Sequence, residues 1–279
     1  MSDRTCPPEW EFGTCRYGRS RLAVRGPLRR LHRPYIAFLG GSEVFGRFVS
    51  HPVPDLVEQA LGIDCINLAA PNAGIDSFVE DVSLLSVAAG AELAVVQVMG
   101  AHTLSNRFYR VHRRRNDRVT AISEQMRQAF PGVEAIDHHF PRHLLRDAAA
   151  AAPQTFHVLV EEMRAAWTSR MATLIERLDV PVLLLWMADH DPGTGQEDPD
   201  ACDPLFVDRA MLDSLAPSVV GVVEVVPGAA ARADRSGMVF PTDQALAAAR
   251  LPSPAMHADA AAALVPVLRG VLAGRAAAP

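Results

Sequence analysis

Residues 35–43 read Tyr-Ile-Ala-Phe-Leu-Gly-Gly-Ser-Glu. Five apolar residues without polar alternation describe a strand covered on both faces, the habit of parallel sheets. Gly40 and Gly41 then permit a tight strand-to-helix turn that leaves the Ser42 hydroxyl beside backbone N–H groups. Four more short runs, residues 64–68, 93–99, 182–187 and 219–226, have the same Val, Ile and Leu character. Between them, helical spacing recurs over residues 54–61, 76–89, 156–178, 205–215 and 256–272. Strands alternating with helices predict α/β: a single doubly wound α/β/α sandwich with a five-stranded parallel sheet, flavodoxin-like in type.

Composition narrows the function. The chain has 279 residues, 49% hydrophobic and 21% charged, enough for a substantial and mainly aliphatic core. Residues 1–33 read as an irregular arginine-rich arm, and 34–279 as the α/β domain with a partly helical insertion at about 101–155. A net charge of −5 argues against nucleic acid as a partner. All 27 basic residues are arginine. Without lysine there is no Schiff base, no lysine-held pyridoxal phosphate, no Ser-Lys dyad and no Walker A loop. Gly40, Gly41 and Gly46 do not form the dinucleotide fingerprint, so no cofactor is expected. Cys6, Cys15, Cys65 and Cys202 fit neither a zinc nor a disulfide spacing and read as reduced thiols of a cytoplasmic protein. No secretory leader and no run of 18 uninterrupted apolar residues is visible, so no membrane partner is expected. His138, His139 and His143 invite a metal, but Pro141 between them interrupts a shared helix, and no metal is assigned to them or to Asp189-His190-Asp191.

Ligands of open parallel sheets sit at the carboxyl ends of the strands. The residues there are Gly40-Gly41-Ser42-Glu43, then 69–74 with Asn72 and Gly74, then Gly100-Ala101-His102-Thr103, then Asp189-His190-Asp191; His257 opens the last helix. This order resembles the SGNH, or GDSL-like, hydrolase superfamily. The resemblance implies an ester hydrolase or acyltransferase with Ser42 as nucleophile and His257 as general base. It makes the N–H groups of Ser42 and Gly74 oxyanion donors, with His102 or Asn106 at the place of the family's oxyanion asparagine. The sequence departs from the family pattern at Gly41, at His102 and at Pro254, which stands where the family has the acid of Asp-x-x-His. Asp189, Asp234 or Asp243, or else a backbone carbonyl, is left to orient His257. Residues 38–49, 67–76 and 97–117 also resemble an uncharacterised bacterial domain-of-unknown-function family, which implies no activity.

Arg107, Arg110, Arg113, Arg114, Arg115 and Arg118 crowd one stretch, with Arg25 and Tyr35 expected nearby. Planar guanidinium groups suit carboxylate, sulfate or phosphate. Asn72, Arg107, Arg110, Arg114 and Asp189 are therefore candidate substrate-binding residues for a small-molecule or carbohydrate partner carrying negative charge. Three readings stay open: an SGNH-like acyl hydrolase or acyltransferase, a degenerate module of that fold binding a phosphorylated or sulfated ligand, and an interaction protein whose arm wraps a partner subunit.

Overall fold

Apolar runs that lack alternation need cover on two sides, and the computed structural model provides it with one sheet between two helical layers. The structure describes residues 12–31, 34–193 and 197–276; Cys6 and residues 1–11 of the arm lie outside these. In the arm, β1 (Thr14–Cys15) and β2 (Val24–Arg25) form a small antiparallel ribbon. The central strands are β3 (Tyr35–Leu39), β4 (Asp64–Asn67) and β5 (Leu93–Gln97). After the hairpin of β6 (Tyr109–His112) and β7 (Arg115–Ile122) come β8 (Val182–Met187) and β9 (Gly221–Val225). The five-stranded sheet is parallel throughout, in the order β4-β3-β5-β8-β9.

The helices are α1 (Ser42–Phe45), α2 (Val53–Leu61), α3 (Ile75–Val79), α4 (Val82–Ala89), α5 (Glu124–Ala129) and α6 (Pro141–Ala151). They continue with α7 (Pro153–Leu178), α8 (Arg209–Leu215), α9 (Ala229–Ala233), α10 (Ala245–Ala248) and α11 (Pro254–Ala276). Strand alternation divides the core. Ile36, Phe38, Leu93, Val95, Leu183 and Leu185 pack with α2 and α11. Ala37, Leu39, Ala94, Val96, Leu184 and Trp186 pack with α3, α4, α7 and α8. This is the doubly wound α/β/α sandwich that the strand runs predict.

Several elements differ from the sequence expectation. The helix expected over 76–89 is broken, because Asp81 caps a new one, accepting the Leu84 N–H at 3.0 Å. Asp208 does the same to the expected 205–215 helix, accepting from Met211 at 2.9 Å, so α8 starts at Arg209. The insertion holds α5 and α6 but also a β-hairpin, in which Tyr109 and Val111 are buried while Arg110 points out. Pro141 opens α6 instead of interrupting it, at the first-turn position where its missing N–H costs nothing. The last helix, Pro254–Arg275, is by length and composition apolar enough to cross a membrane, with a mean hydropathy of 1.3. Asp259 and Arg269 break its apolar run, which hid it from the uninterrupted-run criterion; Ala260, Ala261, Leu264 and Leu268 of this helix are buried in the core.

Candidate functional site

The strand order reverses between β3 and β5, so the crevice of this architecture opens at their carboxyl ends. Gln97, the last residue of β5, ties the two together. Its Oε1 accepts the Gly41 N–H at 2.9 Å, and its Nε2 donates to Glu43 Oε2 at 2.9 Å. A side chain on Gly40 would meet Gln97 Oε1 at 2.5 Å and, less yieldingly, Val44 Cβ at 2.9 Å, so this close approach favours glycine. Burial raises the Glu43 carboxyl above its ordinary value. On the far side lies His102, 7% exposed, with Nδ1 3.7 Å from Asp203 Oδ1. Arg142 holds Asp203 Oδ2 at 2.9 Å. Burial pushes the His102 imidazole down to about 4. Asp203 stays below its ordinary value because His102 and Arg142 outweigh its own burial. Of these, Glu43 follows its strand directly and was flagged only by position; Gln97, Arg142 and Asp203 were missed. Arg142 comes from the insertion and Asp203 from the stretch before α8, and nothing in the sequence points either of them at the sheet.

Ser42 is half-buried, and its Oγ accepts the Asn72 N–H at 3.1 Å. Asn72 takes a left-handed turn at φ 58°, and its carbonyl accepts the Asn116 N–H at 3.0 Å. Asn116, 0% exposed, then occupies the Gly74 N–H: its Oδ1 accepts from Gly74 at 2.7 Å and from Ser77 Oγ at 2.8 Å. In this state Gly74 is no oxyanion donor, because its proton already has a buried acceptor. Asn106 is also spent locally, with Nδ2 donating to Leu104 O at 3.2 Å and Oδ1 accepting from Phe108 at 2.8 Å.

His257 is not joined to Ser42 by any hydrogen bond among the described residues. It is 0% exposed, and its Nδ1 accepts the Val53 N–H at 3.1 Å. Val53 opens α2, whose first N–H groups have no partner within the helix, and no side chain at Pro52 caps them. His257 therefore caps a neighbouring helix. An accepting nitrogen carries no proton, so the ring proton sits on Nε2, which is buried without a partner among the described residues. Burial, then Arg25, pushes this imidazole down to about 3. A ring in this state does not accept the Ser42 proton. None of the three candidate acids bonds to it: Asp189 faces His190 at 2.9 Å, and Asp234 accepts the Ser236 N–H at 2.8 Å.

The arginine stretch forms the hairpin, and the hairpin walls a groove. A cavity of about 950 Å³ lies between β6–β7, α3 and α7. Six arginines line it: Arg21, Arg107, Arg110, Arg113, Arg114 and Arg170. Three are matched by acids, Arg107 to Glu162 at 2.6 Å, Arg113 to Glu80 at 3.4 Å and Arg170 to Asp76 at 3.1 Å. The guanidinium groups of Arg21, Arg110 and Arg114 have no partner among the described residues. Arg115 and Arg118 instead flank Asp117, at 3.6 Å each. Arg25 and Tyr35 do not reach the groove: Arg25 is buried under the α1 turn, and Tyr35 donates its hydroxyl to Val87 O at 2.6 Å. Asn72 and Asp189 lie outside the groove lining. The insertion histidines have other uses, His138 Nε2 lying 2.8 Å from Asp147 Oδ2 and His143 stacking edge-on against Phe140. No cluster suited to a metal ion occurs among the described residues.

Residues 1–272 match the family described as Domain of unknown function (DUF6473). The chain belongs to that family. No functionally curated protein matches it. Among solved structures, the lipase Lip_vut3 from a goat rumen metagenome is similar at a TM-score of 0.39 and 13% identity, over 85% of this chain and 97% of that one. A score that low carries no argument. In this DUF6473 chain the three quoted stretches are neighbours in space. Residues 38–49 form the turn at Ser42, 67–76 hold that turn through Asn72, and 97–117 run from Gln97 through the hairpin to Asn116.

Proposed function

We propose that the chain is a binding protein on an SGNH-like fold, and that its ligand is a small anionic molecule held in the arginine groove. One observation carries this: Arg21, Arg110 and Arg114 face a cavity of about 950 Å³ with no acid to neutralise them. Uncompensated guanidinium groups in a concave wall focus field lines and pair bidentately with phosphate or sulfate. The unassembled Ser42–His257 pair supports the same reading, since a hydroxyl at neutral pH needs an adjacent base to attack. Calorimetric titration with inorganic phosphate and sulfate is expected to show saturable binding that weakens with salt. In the Arg110→Ala/Arg114→Ala variant the affinity falls at least about tenfold, as loss of two charge-assisted contacts requires. Equal affinity in the two proteins rejects the reading.

A second reading, acyl hydrolysis or acyl transfer at Ser42, is favoured by the His102–Asp203 pair beside the same crevice. His257 has no place in it. A fluorophosphonate probe is then expected to label the wild type and not Ser42→Ala. Undiminished labelling of the variant removes Ser42, and an unlabelled wild type leaves binding alone.

A further inference from the structure

The groove has a chemistry of its own beyond its positive charge. Its six arginines face three carboxylates, Asp76, Glu80 and Glu162, which leaves three positive charges uncompensated. One phosphate monoester supplies about −1.5 to −2 at pH 7, so a single group does not neutralise the wall and two do. The cavity, about 950 Å³, is also far larger than one phosphate and lies in the range of sites that hold whole organic ligands.

The rest of the lining says what joins those charged groups. Only Val111 and Ala166 are apolar, so there is no wall for an acyl chain. The His112 imidazole is the only ring, and it accepts the Arg114 N–H at 3.3 Å, which ties it to the hairpin tip. A nucleobase is ordinarily held by stacking between aromatic or apolar faces, and the lining offers a single such ring, that of His112. Hydrogen-bonding groups are present instead. Thr120 Oγ1 donates to Arg110 O at 3.2 Å and keeps its lone pairs, and Ser105 Oγ accepts from Val111 at 3.2 Å and keeps its proton. Arg113 lies 3.4 Å from Glu80 Oε2, which leaves the Glu80 carboxylate lone pairs for a hydroxyl donor. Asp76 Oδ1 is buried at this wall without a hydrogen bond of its own, although the Arg170 guanidinium lies 3.1 Å away.

Resting on the anion-binding reading above, we infer that the groove takes a sugar or similar polyol carrying at least two phosphate groups, and discriminates against nucleotides and acyl compounds. The test is calorimetry on the full chain with six probes: a hexose bisphosphate, the hexose monophosphate, a disulfated disaccharide, inorganic pyrophosphate, ADP and a short-chain acyl phosphate. The hexose bisphosphate is expected to bind at least tenfold more tightly than the monophosphate and than the disulfated disaccharide, whose two negative charges leave the wall as uncompensated as one phosphate does. ADP is expected to bind no more tightly than pyrophosphate, and the acyl phosphate no more tightly than the monophosphate. In Arg110→Ala/Arg114→Ala, whose replaced side chains are exposed, the gain of the bisphosphate over the monophosphate is lost. A tenfold preference for ADP over pyrophosphate overturns the inference, as does equal binding of the hexose monophosphate and bisphosphate. In both cases the anion-binding reading survives. Absence of binding by every probe sinks that reading itself.

Discussion

Replacing Arg25 with methionine is expected to cost about 3–5 kcal/mol of stability, since each buried acceptor left unsatisfied costs about 1–3 kcal/mol and the four are partly relieved by relaxation. The side chain is 7% exposed and its guanidinium donates to four carbonyls. Nη1 reaches Phe45 O at 3.2 Å and Gly46 O at 2.9 Å; Nη2 reaches Val49 O and Ser50 O at 3.0 Å each. These carbonyls converge because the chain turns sharply after α1, with Gly46 at φ 71° and Phe48 at φ 70°. Methionine fills most of the volume and leaves four inward carbonyls without a donor. Burial already lowers the Arg25 pKa to about 10, so the charge is held against a real desolvation cost. Thermal melting is expected to drop by roughly 10 °C or more. Lysine restores only part of the loss, since its three donors leave one terminal atom and do not span two pairs of acceptors. A change under about 1 kcal/mol in both variants would show that the turn is held by something else.

The contrast between Arg25 and Arg110 shows what a sequence conceals. Both are arginines in arginine-rich segments, and composition treats them alike. Which one is buried depends on where β2 lies against the α1 turn, a contact twenty residues apart in the chain. The fold itself was legible because it rests on local signals: unbroken apolar runs, helical spacing and the glycines after β3. Elements escaped where a local cap overrode the period, at Asp81 and Asp208, or where a strand pair was short and half exposed, as in the hairpin. The candidate site was less legible still. Ser42, Gly74 and His257 stand in an order that resembles a catalytic set, but order does not state hydrogen-bond partners. Asn116 takes the Gly74 proton and Val53 takes the His257 lone pair, and neither residue lies near its partner in the chain. Asp203 carried no motif at all.

Acid is expected to weaken the fold well before the carboxylates are protonated, and His257 is the main cause. Its native pKa is about 3, lowered by burial and then by Arg25; His102 follows at about 4, lowered by burial. In the unfolded chain each titrates near 6.5. Between those values the unfolded state binds a proton that the native state refuses, so stability rises with pH and is lost as pH falls below about 6.5. The slope is about 1.4 kcal/mol per pH unit for each histidine at its steepest. Other groups run the opposite way. Burial raises Glu43, Asp55 and Asp76, which take up protons in the native state first and offset part of the loss at lower pH. His138 is raised too, since Glu134 O and Asp147 outweigh its burial, and it favours the native state in acid. The useful comparison is therefore a difference: urea unfolding of wild type and His257→Gln at pH 7.0, 6.0 and 5.0. Glutamine keeps an acceptor for the Val53 N–H and does not titrate, so its stability is expected to fall less steeply by close to one proton's worth. Parallel pH profiles for the two proteins would mean that His257 takes up its proton in the native state at the same pH as in the unfolded chain, and that its buried, helix-capping geometry is wrong.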